Sequence, residues 1–373
     1  MAATVRVAPV EFTIVRRERY VPALDGVRGL AILGVLALHT TPRFAGEGPL
    51  AQAASWIQRS GVFGVDLFFV LSGFLITGIL LDTKGDSNYL KNFYARRFLR
   101  LFPVYYGYLL ALVTAVPLVH YVLRSSMPDY KGPLWWYLTY LANWKPGSAN
   151  DAYLGQFWSL AVEEQFYLVW PAVVYFSSRK RLAWICAACA ALSVTARWLP
   201  LGLDVYRVTI MRLDALGLGA LAALAFRDFY WRNVVHRYKS WIVAGAVAAF
   251  AAVTNFSAGQ AWTPANAFPA AVLSAVFVFH AATIRRGWLT AVLSWQPLRQ
   301  YGKYSYCIYV IHLLVLAHAE YVFGALFGRW RGIPGVAVFL ISAITVNAAI
   351  YAIAALSWRL YESPILKLKD RFA

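Results

Sequence analysis

Charge is what this 373-residue chain has least of: only 14% of it is charged, and just 17 residues are acidic. Soluble domains carry about 25% charged residues, so a string of solvated domains is excluded. Cysteine is equally scarce. Cys186, Cys189 and Cys307 are the only three, all in apolar stretches. The C-x-x-C spacing of the first two has no second pair or nearby histidine to complete a metal site, so they read as small apolar helix residues. Residues 1–23 carry Arg6, Arg16, Arg17 and Arg19 but no apolar core. No cleavable leader is expected there, and the first apolar span should stay as an anchor. Short alternating segments are also missing, which excludes an outer-membrane barrel.

What is present is apolar. Hydrophobic residues make up 60% of the chain, mean hydropathy is +0.55, and runs such as Trp241 to Val253 are long and unbroken. These features predict an all-α, polytopic membrane bundle. Ten candidate spans cover 26–42, 61–81, 98–123, 157–177, 182–199, 207–226, 241–255, 267–284, 304–327 and 334–358. An eleventh run, Pro133 to Trp144, is short and rich in Trp and Tyr. If it does not cross, the segments on the side of the N-terminus hold 24 of the 35 basic residues. The positive-inside rule therefore favours ten spans with both termini cytoplasmic and a Trp-rich outer loop or re-entrant segment at about 133–156. The division is a cytoplasmic segment 1–23, a transmembrane domain 24–365 and a tail 366–373. The net charge of +18 is spread among short loops, which reads as membrane orientation plus an anionic ligand rather than nucleic acid.

A charge at the bilayer centre costs about 2.5–3.5 kcal/mol even on lenient insertion scales, so each buried ionisable residue is a candidate for function. Arg28 and His39 lie eleven residues apart in the first span. They share one helix face, separated by about 16 Å of rise. His39, Asp66, Glu163 and the Arg212/Asp214 pair fall at matching depths and form one outer-leaflet layer. Such a layer also serves as helix glue through buried ion pairs, with Arg212 neutralising Asp214. The inner layer is basic: Arg28, Arg97 and Arg100 sit in apolar context as arginines, whose guanidinium forks suit phosphate. An outer histidine with acids above an inner phosphate clamp fits a long phosphorylated donor arriving from the cytosol. In the ninth span Tyr306, Tyr309 and His312 drift slowly around one face, with His312 about 12 Å in by helical rise.

These segments resemble the acyltransferase-3 family of integral membrane acyltransferases. The matching stretches are Leu24-Asp25-Gly26 through Arg28 to His39, then Gly64-Val65-Asp66-Leu67-Phe68-Phe69 through Phe74, and Arg97-x-x-Arg100. They continue with Trp158-Ser159-Leu160-Ala161-Val162-Glu163-Glu164-Gln165-Phe166-Tyr167, Arg212-x-Asp214, Tyr306 to His312 and Glu362-Ser363-Pro364. The resemblance implies transfer of an acyl group, usually acetyl from acetyl-CoA, to a hydroxyl of a surface polysaccharide, glycolipid or small molecule, in the cytoplasmic membrane. It also implies direct transfer to the acceptor, since no esterase-like extension follows the last span. On this reading His39 is the general base and Asp66 or Glu163 orients it. Arg28, Arg97 and Arg100 hold the CoA phosphates, while Trp158, Arg212, Asp214 and His312 face the acceptor. The expected cofactor is acyl-CoA as co-substrate with no metal, and the expected partners are membrane lipid, the donor and the hydroxyl acceptor. Direct transfer and a covalent acyl-histidine stay open, as does an oligomer. The rival reading is a proton-coupled transporter or flippase, because a proton relay also needs intramembrane Asp, Glu and His.

Overall fold

The computed structural model describes residues 20–40, 58–122, 133–146, 151–256, 262–284, 286–327 and 335–372. Most of the expected N-terminal segment, residues 1–19, lies outside the described residues. The described chain is helical, and ten long helices follow in order: α1 (Pro22–Thr40), α2 (Phe63–Asp82), α3 (Tyr89–Val122), α4 (Phe157–Phe176), α5 (Arg179–Trp198), α6 (Leu213–Phe226), α7 (Phe229–Phe256), α8 (Pro264–Thr283), α9 (Gln296–Phe327) and α10 (Gly335–Ser357). Each coincides with one expected apolar run. Among the described residues, six helical stretches are long and apolar enough to cross a membrane: Pro22–His39, Gln58–Asp82, Tyr89–Val122, Thr209–Phe226, Pro264–Thr283 and Ala343–Phe372. Local chemistry sets several boundaries. Ser178 caps α5 by accepting from the Arg181 N–H at 3.2 Å. Thr263 and Asn266 form a reciprocal capping box ahead of Pro264 at the start of α8.

Several helices start well before their apolar runs. The segments 82–100, 227–240 and 285–303 were expected on the cytoplasmic side, largely outside the apolar spans, yet α3 begins at Tyr89, α7 at Phe229 and α9 at Gln296. The reason is that hydropathy marks only what lies in hydrocarbon, whereas backbone hydrogen bonding continues through an amphipathic turn in the headgroup region. Arg97, Arg100, Arg299 and Lys303 are therefore all fixed on these helices.

At the centre α1 packs on α9 and α2, and α2 in turn packs on α6, α8 and α4. The first of these contacts is very close. A Cβ at Gly302 of α9 would fall 1.8 Å from the Asp25 carbonyl oxygen of α1, so only glycine permits the approach. The α2–α6 contact is alike, with Gly219 against the Val70 carbonyl at 2.0 Å. Small residues let helix backbones meet where lipid supplies no hydrophobic drive. α1 and α9 run in the same direction, so Arg28 and Arg299 lie at one end of the bundle and His39 and His312 toward the other.

The Trp-rich segment forms a four-residue helix, Trp135–Leu138, and a 3-10 turn, Ala142–Trp144. Both are far shorter than the ~20 residues a span needs. Tyr137 is buried while Trp135 and Trp144 are exposed. The segment is tied down by α3: the Tyr105 hydroxyl donates to the Tyr137 carbonyl at 2.6 Å and Tyr106 to that of Leu138 at 2.9 Å. Inside it Lys145 and Asp151 form a buried ion pair at 2.6 Å, and the Tyr137 hydroxyl donates to the same carboxylate.

Candidate active site

The arginines of the expected inner layer are assembled around space, and Glu163, expected in the outer layer, stands with them. Arg28 from α1, Arg97 and Arg100 from α3, Glu163 and Tyr167 from α4, and Tyr306 and Tyr309 from α9 line one narrow cavity of about 90 Å³. Its lower end meets a wider vestibule of about 630 Å³, with Arg28, Arg100 and Leu75 lining both. Two of the three arginines are held without a carboxylate partner among the described residues. Arg28 contacts Asp25 of its own helix only at 3.4 Å. Arg97 lies over the rings of Tyr167, at 5.1 Å, and Phe93, at 5.9 Å. Among the described residues neither Arg97 nor Arg100 has a carboxylate within ion-pair distance. Glu163 accepts from the Tyr167 hydroxyl at 3.2 Å, and Tyr167 is closely bonded to Ser72 of α2. Cationic forks facing a cavity are a setting for an anion.

The upper end of the cavity reaches Tyr309, whose hydroxyl shares a 2.5 Å hydrogen bond with Ser159. Beyond it stand two histidines that the sequence places 273 positions apart, His39 and His312, with ring centroids 5.0 Å from each other. Tyr309 is itself 5.5 Å from the His312 ring. His39 Nδ1 lies 2.9 Å from the Val35 carbonyl and His312 Nδ1 lies 2.7 Å from the Tyr309 carbonyl. A carbonyl only accepts, so in each neutral ring Nδ1 carries the proton and Nε2 carries the lone pair. His312 is fully buried, and its Nε2 has no partner among the described residues. The expected carboxylate orienter is replaced by backbone: the carbonyl four residues back on α1 fixes the tautomer of His39, a role no side-chain pattern announces.

Asp66 is engaged elsewhere. It accepts from Arg212 Nη2 at 2.6 Å, and both side chains are buried, at 0% and 1% exposure. Asp214 pairs with Arg197 at 2.6 Å, so the expected Arg212–Asp214 neutralisation is corrected. The reason is helical geometry: residues two apart point about 200° apart around an axis, so each finds a charge on another element. The Arg212 guanidinium is further enclosed by Phe69, Tyr206 and Trp262, each ring centroid 5.2 Å away. Trp158 belongs to the same cluster, 6.0 Å from Phe69 and 4.8 Å from Tyr206. Trp158, Arg212 and Asp214 were expected to face an acceptor; in the structure all three are buried, Trp158 and Arg212 in this packed aromatic layer and Asp214 against Arg197. A guanidinium removed from water needs both a carboxylate and polarisable ring faces, and the layer supplies them.

Sequence reasoning missed Arg197, which sits at a span end like a topological charge, and Ser159 and Gln156. The Gln156 amide donates to the Val310 carbonyl at 2.7 Å and fixes α4 against α9 beside Tyr309.

Comparisons with known proteins identify the family. A family model described as an acyltransferase domain matches residues 21–352. The chain is 30% identical to the peptidoglycan O-acetyltransferase OatA of Listeria monocytogenes over 94% of its length, covering 56% of that protein. It is 27% identical to a putative O-acetyltransferase of Staphylococcus aureus, covering 95% of this chain and 59% of the relative. It is also 30% identical to the putative peptidoglycan O-acetyltransferase YrhL of Bacillus subtilis, covering 81% and 49%. The chain thus spans only about half the length of these relatives. No solved structure matches it. With nearly the whole helical bundle covered by the family model, the chain belongs to the acyltransferase-3 family of acyltransferase domains.

Proposed function

We propose that this protein is a membrane O-acyltransferase that moves an acetyl group from acetyl-CoA to a carbohydrate hydroxyl. The names of the relatives favour a peptidoglycan glycan as the acceptor. One observation carries the reading: a cavity lined by Arg28, Arg97 and Arg100 leads up to Tyr309, beside two histidines whose Nδ1 atoms are held by backbone carbonyls, leaving the lone pairs on Nε2. The arginines bind the donor's phosphates from the cytoplasmic side of the inner membrane, with both chain termini on that side. The thioester then lies near the histidine pair. His39 Nε2 takes the proton of the acceptor hydroxyl as its oxygen attacks the thioester carbonyl. The carbon–oxygen ester bond forms, the carbon–sulfur bond breaks, and the departing thiolate takes the proton from His39 Nε2 and leaves as free CoA thiol. Val35 keeps the reactive nitrogen of His39 unprotonated at the start. Asp66, through Arg212, holds α2 in register and does not touch the reacting atoms.

The test is acceptor-dependent release of free thiol from acetyl-CoA by the purified protein. Wild type should release thiol with a peptidoglycan fragment present. His39→Ala should lower the rate by about 10²–10⁴-fold, the range of general-base contributions. Normal turnover in His39→Ala would shift the base to His312. An absence of thiol release with uptake of the glycan would favour a transporter.

A further inference from the structure

The vestibule below the arginine neck draws on residues that the proposed donor clamp leaves unused. Its lining adds Arg299 and Lys303 of α9, Trp358 of the π-turn Trp358–Glu362, and Lys369 of the C-terminal 3-10 turn to the shared Arg28 and Arg100. Five cations therefore converge on one concave space of about 630 Å³ against a single lining carboxylate, Asp25. That carboxylate already contacts Arg28 and accepts from the Tyr20 hydroxyl. Topological charge alone asks only that these residues be on one side of the membrane; it does not ask them to meet.

The aromatic content is the second observation. Lys303 Nζ stands 4.8 Å from the Trp358 ring centroid and 5.3 Å from that of Tyr304. Lys303 has no carboxylate within ion-pair distance among the described residues. Arg299 Nη2 donates to the Tyr20 hydroxyl at 3.1 Å, while its Nε is buried without a partner. A half-buried indole beside uncompensated cations suits a flat base carrying a phosphate. The neck lies about 16 Å of helical rise below His39, the same order as an extended pantetheine arm. With the pyrophosphate at Arg28 and Arg100, the nucleoside end falls in the vestibule.

We infer that this vestibule is the recognition site for the 3′-phosphoadenosine end of the donor, with Lys303 and Arg299 taking the 3′-phosphate and Trp358 the adenine face. The assignment rests on the proposal that the donor is acyl-CoA. It makes residues 296–303 and the C-terminal turns a specificity element, separate from the three arginines of the neck.

Equilibrium binding of CoA and of dephospho-CoA to the purified full chain tests it, in wild type, Lys303→Gln, Arg299→Gln and Trp358→Leu. Wild type should prefer CoA by roughly tenfold to a hundredfold, the range of a charge-assisted contact. Lys303→Gln and Arg299→Gln should bring CoA down toward dephospho-CoA while leaving dephospho-CoA binding unchanged. Trp358→Leu should weaken both probes alike. If Lys303→Gln weakened both probes equally, or neither, the 3′-phosphate assignment would be wrong. If wild type bound the two probes equally, the donor reading would stand and the vestibule assignment would fall. If wild type bound neither, the acyl-CoA reading itself would fall. Repeating the measurement with phosphatidylglycerol vesicles as competitor separates a nucleotide from a lipid phosphate: displacement of CoA by the lipid would overturn the nucleotide assignment.

Discussion

Arg212 and Arg197 toward one end of the bundle, and Arg97 and Arg100 toward the other, are the same side chain placed among apolar helices. Their surroundings differ in every respect that electrostatics cares about. Arg212 and Arg197 each hold a carboxylate at 2.6 Å and are sealed from solvent. Arg97 and Arg100 line a cavity, with no carboxylate at ion-pair distance among the described residues. The first arrangement is closed, since its charges are spent on each other. The second leaves positive charge facing space. An arginine inside a membrane protein is thus not in itself a mark of a site; an arginine whose charge is unanswered is.

The difference makes the two groups break in different ways. The largest effect is expected at the closed end. Arg212→Ala strands Asp66 in the core, and removing one partner of a buried pair costs about 3–5 kcal/mol. Unfolding of the purified protein in detergent should show that loss. The paired replacement Asp66→Leu with Arg212→Met should recover most of it, because no charge is then left alone. Next comes the open end. Arg100→Ala should lower acetyl-CoA affinity by roughly tenfold to a hundredfold, with stability unchanged and Arg100→Lys recovering only part.

How much of this was open to sequence reading follows the same division. All ten runs lie in helices, six of them, among the described residues, in stretches long and apolar enough to cross a membrane. Arg28, Arg97 and Arg100 did meet at one cavity, since charges in apolar context at equal depth have few other places to go, but Glu163, expected in the outer layer, joins them there rather than His39. Which acid answers which arginine was not legible. Arg212 and Asp214 are neighbours in sequence, but their partners, Asp66 and Arg197, come from α2 and α5, and only tertiary packing decides that. The orienting group of His39 was hidden for another reason: it is a backbone carbonyl, which every residue has. The vestibule was hidden because Arg299 and Lys303 fit the positive-inside pattern and so raised no question.

A smaller effect should sharpen the picture at the Trp-rich cap. Tyr105→Phe removes a buried hydrogen bond to the Tyr137 carbonyl and should cost about 1 kcal/mol in stability while leaving donor affinity alone. The smallest expected contrast is with salt. Raising ionic strength should weaken acetyl-CoA binding measurably, because the vestibule is open to solvent. The stability owed to Arg212 and Asp66 should barely move, since buried pairs are screened far less.

The most direct test is a thermal unfolding measurement on purified wild type and Arg100→Ala, each without acetyl-CoA and at one fixed acetyl-CoA concentration about a hundred times the wild-type dissociation constant. A ligand that binds only the folded state raises its stability by about 2.7 kcal/mol at a hundred times the dissociation constant. Wild type and Arg100→Ala should unfold at the same temperature alone, and only wild type should gain the full increment with donor. An Arg100→Ala protein that was less stable alone yet kept the full donor-induced increment would contradict the distinction between answered and unanswered arginines.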